Sequence, residues 1–361
     1  MPVSITPGGR LDGLDIARFL ALIGMVIVNF SIVMGTEEVK TGAWGWLATT
    51  LHGRAAALFV VLAGVGLGLM AKRRVGQNKR QEFYVIQYKR ALFLLVIGLF
   101  NMIVFSADIL HYYAFYFAIG IVCIRWPTPA LIATIGGLIV GFVALVLSLD
   151  YDAGWDWEAL EYAGFWTVRG FIRNLFFNGW HPVVPWLGFL LWGILISRLD
   201  LYAQKTRLWL LASHGMIFTL ASGLSYWLVG VVGAYDAEAA LLFSAEPVPP
   251  MPLYVLAGAG AAGMAIALCL MIAPYLQKLG ILAWFTRPGR QTLTLYVAHI
   301  YIGMGTLEAF GLLAIPGESQ STEMVMFASL VFCLAAMIYT WAWSKAFKRG
   351  PLESLMRTLT R

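Results

Sequence analysis

Charge is what this chain has least of: Asp, Glu, Lys and Arg make up 12% of it, against 60% hydrophobic residues. A soluble domain carries about twice that charged share, so a water-soluble globular enzyme is excluded and a bilayer is the expected solvent. Cysteine is nearly absent. Cys123, Cys269 and Cys333 all lie within apolar stretches at no metal-like spacing, which argues against both a disulfide framework and a thiolate metal site. Among the five histidines there is no HxxxH or HExxH pair, so no metal is expected. Solenoid repeats, low-complexity tracts and Pro/Gly/Ser linkers long enough to part domains are missing too. A single integral membrane domain over residues 1–361 is the expectation.

What the chain does have is apolar stretches long enough to cross about 30 Å of hydrocarbon as helices. Ten recur: 16–36, 54–71, 91–107, 111–125, 129–149, 183–199, 207–231, 251–274, 292–314 and 324–344. Those at 54–71, 91–107, 111–125 and 183–199 are short enough to be partly re-entrant. The polar start MPVSITPGGRLDGLD and the long run after it do not fit a cleaved secretory signal, so the first stretch is expected to be retained. The fold expected is all-α, a polytopic membrane helix bundle of about ten transmembrane helices.

Orientation follows from the basic residues. Placing AKRRVGQNKRQEFYVIQYKR (71–90) in the cytoplasm leaves only Lys40, Arg54, Arg169 and Arg173 of 25 basic residues on the outer side. Both termini are then cytoplasmic, and the acidic run DYDAGWDWEALEY (150–162) is outside. A multi-pass protein of a cell membrane, bacterial inner or plasma membrane, is the expected setting. The net charge of +6 reads as an orientation signal with membrane lipids as neighbours and no nucleic-acid partner. The Trp- and Phe-rich outer segment at about 150–182 is expected to form amphipathic helices at the interface, where aromatic rings prefer to sit.

Ionisable groups inside a bilayer cost a few kcal/mol on insertion scales and mark functional candidates. In DIARFLALIGMVIVNF (15–30), Arg18 and Asn29 are eleven residues apart, about three turns, and so share one helix face about 16 Å apart along the axis. Asp15 is on that face and within reach of Arg18. A capped helix start with one interhelical Asn bridge would explain the trio equally well. Three of the five histidines converge on the outer side: His52, His111 beside Asp108, and His181. Each alone is more often an interfacial hydrogen-bonding residue than a catalyst. As a group, with Asp108 to orient an imidazole and Arg54 nearby, they are candidates for a general base. His214 reads as structural.

On the inner side, FTRPGRQTLTLYVAHIYIG (285–303) brings Arg287 and Arg290 to the mouth of a helix, with Tyr296 and His299 following into the membrane. Pro288 and Gly289 are expected to form the turn, and free backbone amides at the helix start would suit an anion. Arginines there match phosphate, although binding of anionic lipid head groups is the plainer reading.

The R-x10-N pattern of Arg18 to Asn29 within LDGLDIARFLALIGMVIVNF resembles the first helix of transmembrane acyltransferases, whose acyltransferase-3 branch has R-x10-H there. HGRAAALFVVLAGVGLGL (52–69), DILHYYAFY (108–116), HPVVPWLGFLLWGILISRLDL (181–201) and GRQTLTLYVAHI (289–300) extend the resemblance over most of the chain. It is closest to the bacterial relatives of heparan-alpha-glucosaminide N-acetyltransferase. The resemblance implies transfer of an acyl group, commonly acetyl, from cytoplasmic acyl-CoA to an extracytoplasmic sugar or glycan acceptor. Arg18, Arg287 and Arg290, with Arg10, would bind the CoA phosphates. The pantetheine arm would run along the Arg18–Asn29 face past Tyr296 and His299, with Asn29 bonding the thioester carbonyl or the oxyanion. Asn29 stands where the acyltransferase-3 branch has its histidine, and Ala43 where the heparan enzyme has its own. The base is therefore sought locally, in the order His52, His111 with Asp108, His181. A small-molecule or lipid transporter is the second reading and a catalytically silent lipid- or partner-binding protein the third. Monomer and homodimer both stay open.

Overall fold

The computed structural model describes residues 10–35, 42–75, 80–314 and 319–360. Lys40, Lys79 and Arg361, all used in the orientation argument, lie outside the described residues. Helices run in the order α1 (Asp12–Val33), α2 (Gly42–Leu51), α3 (Arg54–Val75), α4 (Arg80–Asn101), α5 (Leu110–Cys123) and α6 (Thr128–Ser148). A two-stranded hairpin follows, β1 (Trp155–Asp156) with β2 (Glu161–Tyr162). Then come α7 (Val168–Arg173), a π-helical turn at Asn174–Asn178, α8 (Val183–Ser197), α9 (Gln204–Gly233), α10 (Ala237–Leu241), α11 (Pro252–Lys278) and α12 (Leu282–Gly289). The chain closes with α13 (Thr292–Ala298), a second π-helical stretch at His299–Met304, α14 (Gly305–Ala309), α15 (Thr322–Trp343) and α16 (Pro351–Thr360). It is an all-α polytopic bundle.

Among the described residues seven helices are long and apolar enough to span a membrane, and an eighth counts if Val168–Asn178 and Val183–Ser197 are one span bent by 52°. Two of the ten stretches read from sequence fall short for local reasons. The 111–125 stretch gives only the 14-residue α5, because Pro127 at the N-cap of α6 disfavours helical conformation in the residue before it. The 292–314 stretch is helical only to Ala309 and is broken by the π-helical stretch. Apolar side chains on the outside of α9, among them Leu220 and Trp227, are exposed, as lipid-facing positions should be.

The segment at 150–182 differs from the amphipathic helices expected of it. Trp155 pairs with Tyr162 and Asp156 with Glu161 in an antiparallel hairpin. Its turn is set by Asp156, whose carboxylate accepts from the amides of Glu158 and Ala159. Trp155 and Trp157 stack at 4.4 Å, and aromatic side chains favour strands over helices. Only residues from Val168 onward are helical, opened by Thr167, whose hydroxyl accepts from the Gly170 amide.

The chain divides into two compact units. One comprises residues 1–59, 201–211 and 264–359; the other 60–200, 212–263 and 360–361. In the first, α1 packs against α12 and α15. At Gly289 the backbones of α12 and α1 meet so closely that a Cβ would overlap the Asp15 carbonyl. In the second, α4 lies against α5, and α8 against α5 and α6. Gly64 of α3 and Gly193 of α8 face each other with no room for a side chain on either, the small-residue contact that lets membrane helices approach.

Candidate functional site

The first unit gathers charge at the start of α1. Asp12 and Asp15 occupy its first turn, where a helix N-terminus favours acids. The Asp15 side chain is only 2% exposed, and a buried carboxylate needs partners. Three arginines supply them. Arg10 Nε donates to Oδ2 at 2.7 Å, Arg18 Nη1 to Oδ1 at 2.5 Å, and Arg290 Nε to Oδ2 at 3.2 Å. Arg290 Nη2 also donates to Asp12 Oδ1 at 3.0 Å. Three guanidiniums against two carboxylates leave one net positive charge. Arg10 and Arg290 keep 58% and 39% of their side chains exposed while Arg18 keeps 28%, so the first two are the ones with surface left for an anion. The hydrogen bond to Asp15 pushes the Arg10 guanidinium above its usual pKa against the opposing effect of burial, fixing its charge.

Arg287 and Arg290 stand at the end of α12, just ahead of α13, but Pro288 and Gly289 are helical and do not form the turn expected of them. Pro288 and Gly289 belong to its last turn, Arg290 caps it, and the chain turns at Arg290 and Gln291. Arg287 is half-buried. Two of the amides at the start of α13, expected to suit an anion, are already taken by Glu353 of α16. Its Oε1 accepts from the Leu293 and Thr294 amides at 2.8 and 3.1 Å, and its Oε2 from the Thr294 hydroxyl at 2.6 Å. Burial nevertheless holds the Glu353 carboxyl above the usual range, outweighing those three bonds.

At the far end of α1, Asn29 meets His299. Asn29 Nδ2 and His299 Nε2 are 2.9 Å apart, and His299 Nδ1 bonds the Tyr296 carbonyl. Since a carbonyl can only accept, Nδ1 carries the proton, leaving Nε2 to accept from the Asn29 amide. The imidazole is completely enclosed, edge-on to Tyr296 at 4.8 Å and near the rings of Phe30 and Phe332 at 6.5 Å. Tyr296 is also fully buried and stacks on Phe59 at 6.4 Å. His52 belongs to this unit. It sits half-buried at the α2–α3 junction with Arg54 Nη1 donating to its carbonyl at 3.0 Å. The same junction packs on α1 at Gly24, where a Cβ would meet Ala55 and Leu51.

His111 and His181 belong to the other unit. Asp108 is fully buried and accepts from Asn101 Nδ2 at 2.9 Å and from the Leu110 amide at 2.7 Å. His111 Nδ1 stands 3.8 Å from Asp108 Oδ2, longer than a hydrogen bond. The His111 ring is 0% exposed and neither nitrogen has a hydrogen-bond partner. His181 is half-buried, its ring edge-on to Trp186 at 4.6 Å and its carbonyl accepting from Tyr116 Oη at 2.5 Å. His214, in the same unit, accepts at Nε2 from Trp192 Nε1 at 3.1 Å. Asp12 and Glu353 are the participants that sequence reasoning missed. Asp12 was legible as an acid three residues before Asp15; nothing local to Glu353 tells where it docks.

Among the described residues no group of three His, Cys, Asp or Glu side chains lies close enough to hold a metal ion. A family model described as heparan-alpha-glucosaminide N-acetyltransferase, catalytic, matches residues 10–229. A second, described as a protein of unknown function, DUF418, matches residues 196–361. Comparison with curated proteins returned no match. The first match spans Arg10, Asp15, Arg18, Asn29 and the three candidate base histidines; the second spans Arg287, Arg290, Tyr296, His299 and Glu353.

Proposed function

Because the chain belongs to the family of heparan-alpha-glucosaminide N-acetyltransferase catalytic regions, we propose that it is a membrane acyltransferase taking acetyl from cytoplasmic acetyl-CoA to an extracytoplasmic sugar or glycan. One observation carries this reading. Three arginines, Arg10, Arg18 and Arg290, gather at the start of α1, and about three turns further along the same helix Asn29 makes a buried polar pair with His299. Arg10 and Arg290 suit the CoA phosphates, with Arg18 holding Asp15 in place and Arg287 near them in sequence. The pantetheine arm then follows α1, and the second N–H of Asn29 meets the thioester carbonyl or the oxyanion that forms there.

Transfer requires the acceptor hydroxyl or amine to bond the acetyl carbon while the C–S bond breaks, and a base to take the acceptor proton. His52 is the first choice for that base. It is in the same unit as Asn29, and it is only half-buried, whereas His111 is sealed from any acceptor. His181 is the remaining alternative. The acceptor proton passes from the base, through water, to the departing thiolate, which leaves as CoA-SH on the donor side.

Calorimetry with the detergent-purified chain and acetyl-CoA tests the reading. Saturable binding is expected, weakened about ten-fold or more by Arg290→Ala and by Arg18→Ala, the size of a charge-assisted hydrogen bond. Absence of binding by a folded protein overturns it. The bend between Val168–Asn178 and Val183–Ser197 favours a transporter, whose substrate sites are built on broken helices. Such a protein would move substrate with no need of CoA.

A further inference from the structure

Asn29 has two amide hydrogens and a carbonyl, and nothing in α1 by itself decides which of them faces a ligand. His299 does. The π-helical stretch beginning at His299 sets the imidazole so that Nδ1–H is held by the Tyr296 carbonyl one turn back. That contact leaves Nε2 as an acceptor, and an acceptor at 2.9 Å can be met only by the amide nitrogen of Asn29. The ring is fully buried beside Tyr296, Phe30 and Phe332, and turning it over would give up the bond to the Tyr296 carbonyl. Asn29 itself is 8% exposed, the only member of the pair with surface left for a ligand.

We infer that His299 is a positioning residue: it fixes the rotation of the Asn29 amide so that one N–H is spent on the imidazole and the other is held toward the acyl group. The inference rests on the acyltransferase reading for the identity of that group. It assigns His299 no proton transfer, since both ring nitrogens are already engaged. π-Helical turns recur at functional sites, and here the turn supplies the register that puts Nε2 in front of Asn29.

The readout is acyl-group recognition, taken as the ratio of the Kd for CoA to the Kd for acetyl-CoA, measured by calorimetry on the full chain in detergent. The unaltered protein is expected to prefer acetyl-CoA about five-fold, the worth of one neutral hydrogen bond. His299→Leu should bring the ratio to about one, weakening acetyl-CoA about five-fold more than it weakens CoA. His299→Gln places an amide oxygen near Nε2 and should restore most of the preference. Asn29→Leu combined with His299→Leu should be no worse than either alone. If His299→Leu weakens CoA and acetyl-CoA alike, or leaves the ratio intact, His299 is merely structural and the inference falls. Binding of neither ligand by the unaltered chain would sink the acyltransferase reading instead. Nitrogen-15 NMR of histidine-labelled protein decides the geometry separately: His214, which accepts from Trp192 at Nε2, and His299 should both carry the proton on Nδ1 with Nε2 bare, and the His299 signal is the one lost in His299→Gln. A proton on Nε2 overturns the inference.

Discussion

Both units bury a carboxylate, and they treat it differently. Asp15, in the first, is met by three arginines whose own ends reach the surface, so its charge is matched and the surplus is positive and accessible. Asp108, in the second, accepts from an asparagine side chain and a backbone amide, neutral donors that are themselves buried, and the imidazole beside it stands beyond hydrogen-bonding distance. Counter-charges that are partly exposed can be shared with an incoming anion. Neutral donors that are sealed can only hold a loop, here the Phe105–Leu110 connection between α4 and α5. The lesson is that burial of a titratable group identifies a constraint, and the exposure of its partners tells whether that constraint is available to a ligand.

Replacing the three histidines by Ala, one at a time, tests this contrast most severely. Acetyl transfer should fall 100-fold or more for His52→Ala, the low end of what a general base contributes. It should change less than ten-fold for His111→Ala or His181→Ala. The opposite ranking in folded proteins would move the chemistry to the second unit. Asp15→Asn comes next: three guanidiniums lose their common counter-charge, and thermal unfolding should show a loss of about 2 kcal/mol or more. That lies below the 3–5 kcal/mol of a fully buried pair because Arg10 and Arg290 are hydrated. The matching change in the second unit, Asn101→Ala, should cost about 1–3 kcal/mol through the lost donor to Asp108 and leave acetyl-CoA binding untouched. Smaller again, Trp155→Ala should destabilise the β1–β2 hairpin by about 1 kcal/mol beyond its area burial, through loss of stacking on Trp157.

The smallest effect concerns pH. The Glu353 carboxyl is raised in the folded chain by burial, so the native state binds its proton more tightly than the unfolded state does. The associated stability is therefore complete below the ordinary carboxyl pKa of about 4.3 and is lost as pH rises through the raised value. Glu353→Gln should abolish that slope in the unfolding temperature above pH 4 while shifting stability by under about 1 kcal/mol. An unchanged slope would mean that α16 is not docked on α13 through this residue.

How much of this was legible in the sequence depended on distance along the chain. Long apolar runs such as α1, α6 and α15 were plain because hydrocarbon thickness alone dictates their length. Asp15 with Arg18 was legible from a three-residue spacing, and the common face of Arg18 and Asn29 from the helical period. The β1–β2 hairpin was not, because strands of two residues each carry no alternation to detect, and Trp and Tyr suit a membrane interface as well as a strand. Nor was the bond between Asn29 and His299, 270 residues apart; each was singled out, one for the acyl group and one for the cofactor, with nothing to join them. Arg290 was placed at a phosphate mouth by its neighbours, but its bonds to Asp12 and Asp15 arise only from the close approach that Gly289 permits.

The wide turn at His299–Met304 implies that chain length at that point is itself part of the site. A π turn accommodates one residue more than the α-helical ladder would. Deleting any single residue between Ile300 and Met304 should let the ladder close as ordinary α-helix, with apolar content hardly altered and the span still greasy enough to insert. Because the π turn already absorbs the extra residue, its removal would leave α13 and α14 on nearly the same faces and change only the widened backbone that follows His299. Two sequences that look alike as membrane spans would thus differ in whether the backbone opens beside the Asn29–His299 pair.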